Sequence, residues 1–233
     1  MKRRVLFAFL PRRCAFCGRV TPADIPVCGA CRAALPRVGD PRCPKCGRGT
    51  GCCTCRSAAR YYDSLVAPYY YEGVVRKGLH RFKFRHVPDN AAPFAQAMAE
   101  TVRSCYPDLG FDWIVPVPMT ERARKERGYD QARLLADALS AALGIPCVPA
   151  LVKCYETGKQ HGLNAWMRKG NLAGVFDVPD RDALSGKRVL LTDDVSTSGE
   201  TLNECAKMLW LCGAESVRCV TLAVTKYKKK DQK

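Results

Sequence analysis

The sequence predicts an α/β protein: a mostly parallel sheet flanked by helices, preceded by a small N-terminal module folded around metal. Three observations carry this. From Tyr61 onward, short β-favouring apolar runs alternate with helical patterns, as in sheets whose strands are joined by helical crossovers. Nine of the 15 cysteines lie between Cys14 and Cys55. The run RVLLTDDVSTSGETL, Arg188 to Leu202, reads as strand, acidic tip, hydroxyl-rich loop and helix start.

The N-terminal module is expected to span residues 1–58. It is rich in Gly, Pro and Arg with little apolar periodicity, so its folding energy would come from metal. Four Cys-x2-Cys pairs give two four-thiolate sets, the tetrahedral arrangement zinc prefers. Two closed, structural Zn²⁺ sites are therefore expected from Cys14, Cys17, Cys28, Cys31, Cys43, Cys46, Cys52 and Cys55. Gly18 and Gly47 follow the second cysteine of two pairs, where a tight turn aims sulfurs and N–H groups at the metal. Cys53 is an open alternative to Cys52, and the pairing of sites is open too, sequential being simpler than crossed. Disulfides are disfavoured because no export signal accompanies the cysteines. The apolar stretch Val5–Leu10 is too short for one and runs into Pro11-Arg12-Arg13. No apolar run approaches the ~18 residues of a spanning helix. A cytoplasmic protein without a membrane span is expected.

The second domain is expected over residues 61–225. Leu65–Tyr71 reads as a strand, Glu72-Gly73 as a turn, and Val74–Phe84 as a helix with its basic face outward. Ala91–Cys105 reads as a helix and Asp112–Val117 as a buried strand ended by prolines. Gln131–Leu143 has Leu134, Leu135, Ala138 and Leu139 on one face, and Gly144 stops it. Short strands are expected near Cys147 and Leu151, and a polar loop over Thr157–Asn164. Val175–Val178, Val189–Thr192 and Val217–Val224 are strands, with a helix over Leu202–Cys212 between the last two.

The acidic tip carries the chemistry. Free N–H groups at a helix start cradle a phosphate. Thr197, Ser198 and Thr201 add hydroxyl donors, and Gly199 permits close approach. Asp193 and Asp194 suit a diol such as the 2- and 3-hydroxyls of a ribose. Phosphate and diol together point to a ribose 5-phosphate group.

Three further segments are basic. Val115–Ala136 carries Arg122, Arg124, Lys125 and Arg127 before a helix; Lys159–Phe176 is a Gly-containing loop with Arg168 and Lys169. In Leu79–Val87, Arg81, Lys83 and Arg85 alternate with Phe82 and Phe84, which fits either phosphate neutralisation with base stacking or an amphipathic edge. The formal charge of +16 favours polyanionic partners without choosing among nucleic acid, nucleotides and acidic membranes. The tail, residues 226–233, is basic, and suits solvation or nucleic-acid contact equally. A hydrophobic content of 47% excludes disorder across the chain.

The run Asp193–Thr201 resembles the signature of the type I phosphoribosyltransferases. With Val115–Pro118, Arg124–Gln131 and Gln160–Phe176, nearly the whole chain resembles the ComF family, which joins a double zinc ribbon to a phosphoribosyltransferase-like domain and is named for DNA uptake in competent bacteria. The departures are mild: Tyr129-Asp130 replaces Phe-Asn, Ser198 replaces a Thr, and Glu200 brings a negative charge near the loop. The resemblance implies binding of phosphoribosyl pyrophosphate with Mg²⁺. Asp193 and Asp194 would be the catalytic pair on the ribose hydroxyls. Val195, Ser196, Thr197, Ser198, Gly199 and Thr201 would hold the 5-phosphate, and Arg127 and Arg168 would face pyrophosphate. Two functions follow: transfer of the phosphoribosyl group to an acceptor, or a single-stranded DNA-binding accessory role beside other DNA-uptake proteins.

Overall fold

The computed structural model describes residues 12–53, 55, 59–85, 87–108, 110–154 and 175–226, without the side chains of residues 123 and 127. The N-terminal module contains one short helix, α1 (Gly29–Ala33). The second domain runs β1 (Ser64–Val66), β2 (Tyr69–Tyr70), α2 (Gly73–Phe84), α3 (Ala91–Cys105), β3 (Trp113–Pro116), α4 (Glu121–Arg127) and α5 (Gln131–Leu143). It continues with β4 (Val152–Lys153), β5 (Phe176–Asp177), β6 (Arg188–Ser196), α6 (Glu200–Leu211) and β7 (Ser216–Val224).

The main sheet has the order β1-β7-β6-β3, with β2 also on β7, and every pairing in it is parallel. β4 and β5 form a separate antiparallel pair. Successive side chains along a strand face opposite ways, so β6 sends Leu190 into one core and Val189 and Leu191 into the other. The first core is closed by α2, α3 and α5 through Leu79, Phe82, Phe94, Met98, Leu135 and Leu139. The second is closed by α6 through Leu202, Cys205 and Leu209. The expected sheet with helices on both faces is what forms.

Several elements match their patterns. α3 and α5 have the expected bounds. Asp130 caps α5 by accepting the Arg133 N–H at 2.9 Å. Gly144 ends it in the left-handed region at φ 74°, its N–H reaching the Ser140 carbonyl. The differences are local. The strand expected over Leu65–Tyr71 breaks at Ala67-Pro68 into β1 and β2, since Pro68 has no N–H for the ladder. The basic turn after Pro118 contains a short helix, α4, supported by Arg122–Glu126 at 2.8 Å and Arg124–Glu121 at 3.7 Å. Cys147 makes only an isolated bridge, to Ile114.

The N-terminal module shares the core of the second domain. Cys14, Ala15, Phe16 and Cys31 are buried in the α2–α3–α5 core. The Phe16 ring meets Tyr69 and Phe94, at 6.0 and 5.2 Å between centroids. Buried Asn90 donates to the Ala15 carbonyl at 2.9 Å. Gly78 of α2 makes this approach possible: a Cβ there would stand 2.7 Å from Cδ1 and 3.0 Å from Cα of Phe16. Among the described residues, no helix is long and apolar enough to cross a membrane.

Candidate functional site

The cysteines gather into two groups of four. The first is Cys14, Cys17, Cys28 and Cys31; the second is Cys43, Cys46, Cys53 and Cys55. Within each, all sulfurs lie within 4.8 Å of one another. Cys17 and Cys28 Sγ are 3.7 Å apart, as are Cys46 and Cys53 Sγ. A zinc ion at ~2.3 Å from four tetrahedral sulfurs sets them ~3.8 Å apart, so both groups fit zinc with little movement. The grouping is sequential, first two pairs and last two.

The expected ligand Cys52 is not in the second group; Cys53 takes its place. Cys52 ends the 3₁₀ turn Thr50–Cys52, while Cys53 leaves that turn in extended conformation. Its sulfur accepts the Cys55 N–H at 3.3 Å. Cys52 instead meets the Tyr70 hydroxyl, whose pKa is raised by burial first and by this thiol in part.

Without metal, such thiols cannot ionise together. Burial opposes ionisation of Cys14, yet the N–H groups of Cys17, Cys28 and Phe16 bring its pKa down to about 6. Burial and its sulfur neighbours push Cys31 up. Zinc resolves this by binding all four as thiolates.

The two knuckles share one backbone pattern. Cys14 N–H reaches the Arg19 carbonyl at 2.8 Å, and Cys43 N–H the Arg48 carbonyl at 2.7 Å. The side chains of these equivalent arginines diverge. Arg19 is exposed, whereas Arg48 is 3% exposed and reaches into the second domain.

That reach ends at the acidic signature. The strand does not stop before the aspartates: β6 continues to Ser196, with Asp193 opposite Thr221 and Val195 opposite Ala223. Asp194 meets Lys83 of α2 at 2.6 Å, and its N–H donates to Asp193 Oδ1 at 2.7 Å. Burial and the Asp194 charge raise the Asp193 carboxyl to about 7, against the opposing pull of the Asp194 N–H and Lys83.

The loop Thr197–Gly199 follows. Gly199, at φ 79°, occupies the N-cap of α6 with no capping side chain. A Cβ there would stand 3.1 Å from the Tyr62 hydroxyl. The loop carbonyls are held from outside: Thr197 accepts from Arg48 Nη2 at 2.6 Å, and Ser198 from Arg60 Nη2 at 3.0 Å. A trans peptide points its N–H opposite its C=O. Holding these two carbonyls therefore turns the N–H groups of Ser198 and Gly199 the other way, beside the open start of α6. Such an array attracts an anion.

Residues 5–63 match the family described as double zinc ribbon domain, and residues 129–233 the family described as phosphoribosyl transferase domain. The chain is 31% identical to Competence protein ComFC of Bacillus subtilis, over 85% of this chain and 84% of that protein. The chain belongs to the ComF family. Among further relatives are Competence protein F of Haemophilus influenzae, 30% identical over 92% of this chain and 98% of that one, and DNA utilization protein YhgH of Escherichia coli K12, 28% identical over 91% and 90%.

Within this ComF chain, Asp193, Asp194, Val195 and Ser196 close β6, Thr197, Ser198 and Gly199 form the loop, and Thr201 stands in the first turn of α6. Arg127 ends α4, but its side chain lies outside the described residues; so do Arg168 and the whole of residues 155–174. The residues that sequence reasoning missed are those that reach in from afar. Lys83 stood out only as one cation in an alternating run. That run is helical up to Phe84, with Phe82 buried and Phe84 55% exposed, so only one of the two phenylalanines is core. Arg48, Arg60 and Tyr62 carried no local signal beyond the repeated Cys-Gly-Arg of the two knuckles.

Proposed function

We propose that this ComF-family protein binds phosphoribosyl pyrophosphate with Mg²⁺ at the end of β6, transfers its phosphoribosyl group to an acceptor, and serves DNA uptake or utilisation. The observation that carries the reading is the start of α6 directly after two carboxylates: Gly199 offers no capping side chain, the Glu200 N–H meets Ser198 Oγ only at 3.4 Å, and the Thr197 and Ser198 carbonyls are held from outside. The loop and α6 take the 5-phosphate, and Asp193 and Asp194 take the ribose hydroxyls. The carboxylate pair fits Mg²⁺, which is held by one or two carboxylates plus substrate phosphates. A carboxyl burdened by burial and a like charge gains from an incoming cation. When bound, Mg²⁺ supplies charge neutralisation on the pyrophosphate. The acceptor attacks ribose C1 while the C1–O bond breaks and pyrophosphate leaves with the bonding pair. The positive charge that develops on the sugar ring lies beside the carboxylates, which favour it. Two structural Zn²⁺ ions belong to the cysteine groups, and four-thiolate zinc sites suit a reducing, cytoplasmic setting.

Calorimetry with phosphoribosyl pyrophosphate and Mg²⁺ tests this. Saturable binding is expected, and its loss in the Asp193→Asn, Asp194→Asn double variant. A wild-type protein that takes up no ligand would sink the proposal. Mg²⁺-dependent release of pyrophosphate across an acceptor panel then tests transfer.

A second reading rests on a separate feature. An open groove of about 1250 Å³ runs between the first knuckle and α2. Arg13, Arg19, Arg76, Lys77, Arg81 and Arg85 line it, and none forms an ion pair with a carboxylate among the described residues. Six cations without a carboxylate partner among the described residues suit the backbone of single-stranded DNA. Binding there should weaken steeply with salt, and reversing Arg76 and Arg81 to Glu should abolish it. Salt-insensitive binding, or none, would leave the groove without this role.

A further inference from the structure

The second zinc knuckle sends a buried cation into the phosphate loop. Arg48 Nη2 donates to the Thr197 carbonyl at 2.6 Å, and Nε to the Thr225 carbonyl at 2.5 Å. Arg48 stands two residues after Cys46, and its backbone carbonyl accepts the N–H of Cys43, another member of the same cysteine group, at 2.7 Å. One residue thus joins three things: its backbone meets the second cysteine group, and its planar fork meets the loop after β6 and the end of β7. The knuckle is also seated on this region by other bonds. The Tyr62 hydroxyl, which lies beside Gly199, donates to the Lys45 carbonyl at 2.7 Å. Leu65 N–H of β1 donates to the Pro44 carbonyl at 2.7 Å.

We propose that Arg48 is a positioning residue for the phosphate loop, held in place by the knuckle of the second ribbon, so that loading of that ribbon with zinc sets the loop for its ligand. This rests on reading the loop as a phosphate site. Arg48 is placed by the turn that folds the second knuckle: its carbonyl accepts the Cys43 N–H at 2.7 Å, and the Gly47 N–H reaches the Cys43 carbonyl at 2.9 Å. A metal bound by Cys43 and Cys46 would hold that turn closed. Without it the turn is free to open, and Arg48 moves with it. When it leaves, the Thr197 carbonyl is released and the Ser198 N–H is no longer aimed at the anion. The first ribbon has no such link. Its equivalent arginine, Arg19, lines the open groove. The coupling therefore belongs to the second site alone.

The test uses the full chain. Hydrogen exchange of the loop amides at 197–201 is measured beside the affinity for ribose 5-phosphate, in wild type and in Arg48→Met, Arg48→Lys, Cys53→Ser and Cys17→Ser. Arg48→Met keeps all eight cysteines and should retain both zinc ions. It should speed loop exchange and weaken ribose 5-phosphate roughly 10- to 100-fold, the loss of an oriented charge-assisted contact. Arg48→Lys keeps the charge but not the fork, and should fall between. Cys53→Ser should loosen the loop as Arg48→Met does. Cys17→Ser, which empties only the first site, should leave the loop unchanged. Wild-type loop exchange in a zinc-replete Arg48→Met protein would overturn the proposal. If the wild type ignores ribose 5-phosphate, the phosphate reading falls and Arg48's role in ligand binding falls with it. The exchange data would still decide whether the zinc centre braces the loop.

Discussion

Asp193 and Asp194 are neighbours in sequence with different surroundings. Asp194 has the Lys83 ammonium at 2.6 Å. Asp193 is burdened by burial and by the Asp194 charge, and its carboxyl is raised to about 7. An unfolded aspartate titrates near ~3.9. Between those values the folded protein holds the extra proton, so stability falls as pH rises from about 4 to about 7 and stays reduced above that. Asp193→Asn removes the burden. It should raise the melting temperature at pH 8, with the gain shrinking to nothing near pH 4, while phosphoribosyl pyrophosphate binding is lost. Melting curves of both proteins across that range check it, and an equal difference at every pH would count against it. A carboxylate kept where it destabilises the fold is expected where function uses it. The sequence announced this pair plainly, because strand, acids, hydroxyls and helix are contiguous. It could not announce Lys83 or Arg48, which arrive from 111 and 149 residues away in the chain.

At the scale of elements, α2 carries the most divided load. Its Val75, Leu79 and Phe82 are core, Lys83 meets the acid pair, and Arg76, Lys77 and Arg81 line the groove. Gly78 lets it lie against the first knuckle. Gly78→Ala would gain about 1 kcal/mol of helix propensity. It would also press on Phe16, including its backbone, at a cost of ~1–3 kcal/mol. Net destabilisation is expected, with faster zinc release from the first site. A thermal melt paired with transfer of zinc to a chromogenic chelator reads both, and unchanged release would refute the link. α3 and α5 were legible because a long amphipathic pattern with clear ends outweighs local detail. The break at Pro68, the helix α4 and the choice of Cys53 over Cys52 turn on single backbone angles, which composition and spacing do not carry.

For the whole molecule, the boundary between ribbon and sheet is a boundary in sequence only. Cys14, Phe16 and Cys31 share one core with Leu190, Val220 and Leu222. A module too small for a core of its own has borrowed one. Chelation should therefore not simply unravel the N-terminus. Loss of the second of the two zinc ions and loss of the sheet, followed by tryptophan fluorescence and far-ultraviolet dichroism, are expected to coincide in one transition. Release complete before either signal moves would show separate units.

The position of β7 bears on how the chain is made. This strand, the last in sequence among the described residues, lies between β1 and β6, and its end is pinned to the second knuckle through Thr225. A nascent chain lacking Ser216–Val224 has no sheet neighbour for β1 among the described strands, and β6 is missing one side. The second ribbon and β1, made before β7, thus wait for it before the sheet can close and the ribbon finds its full seat.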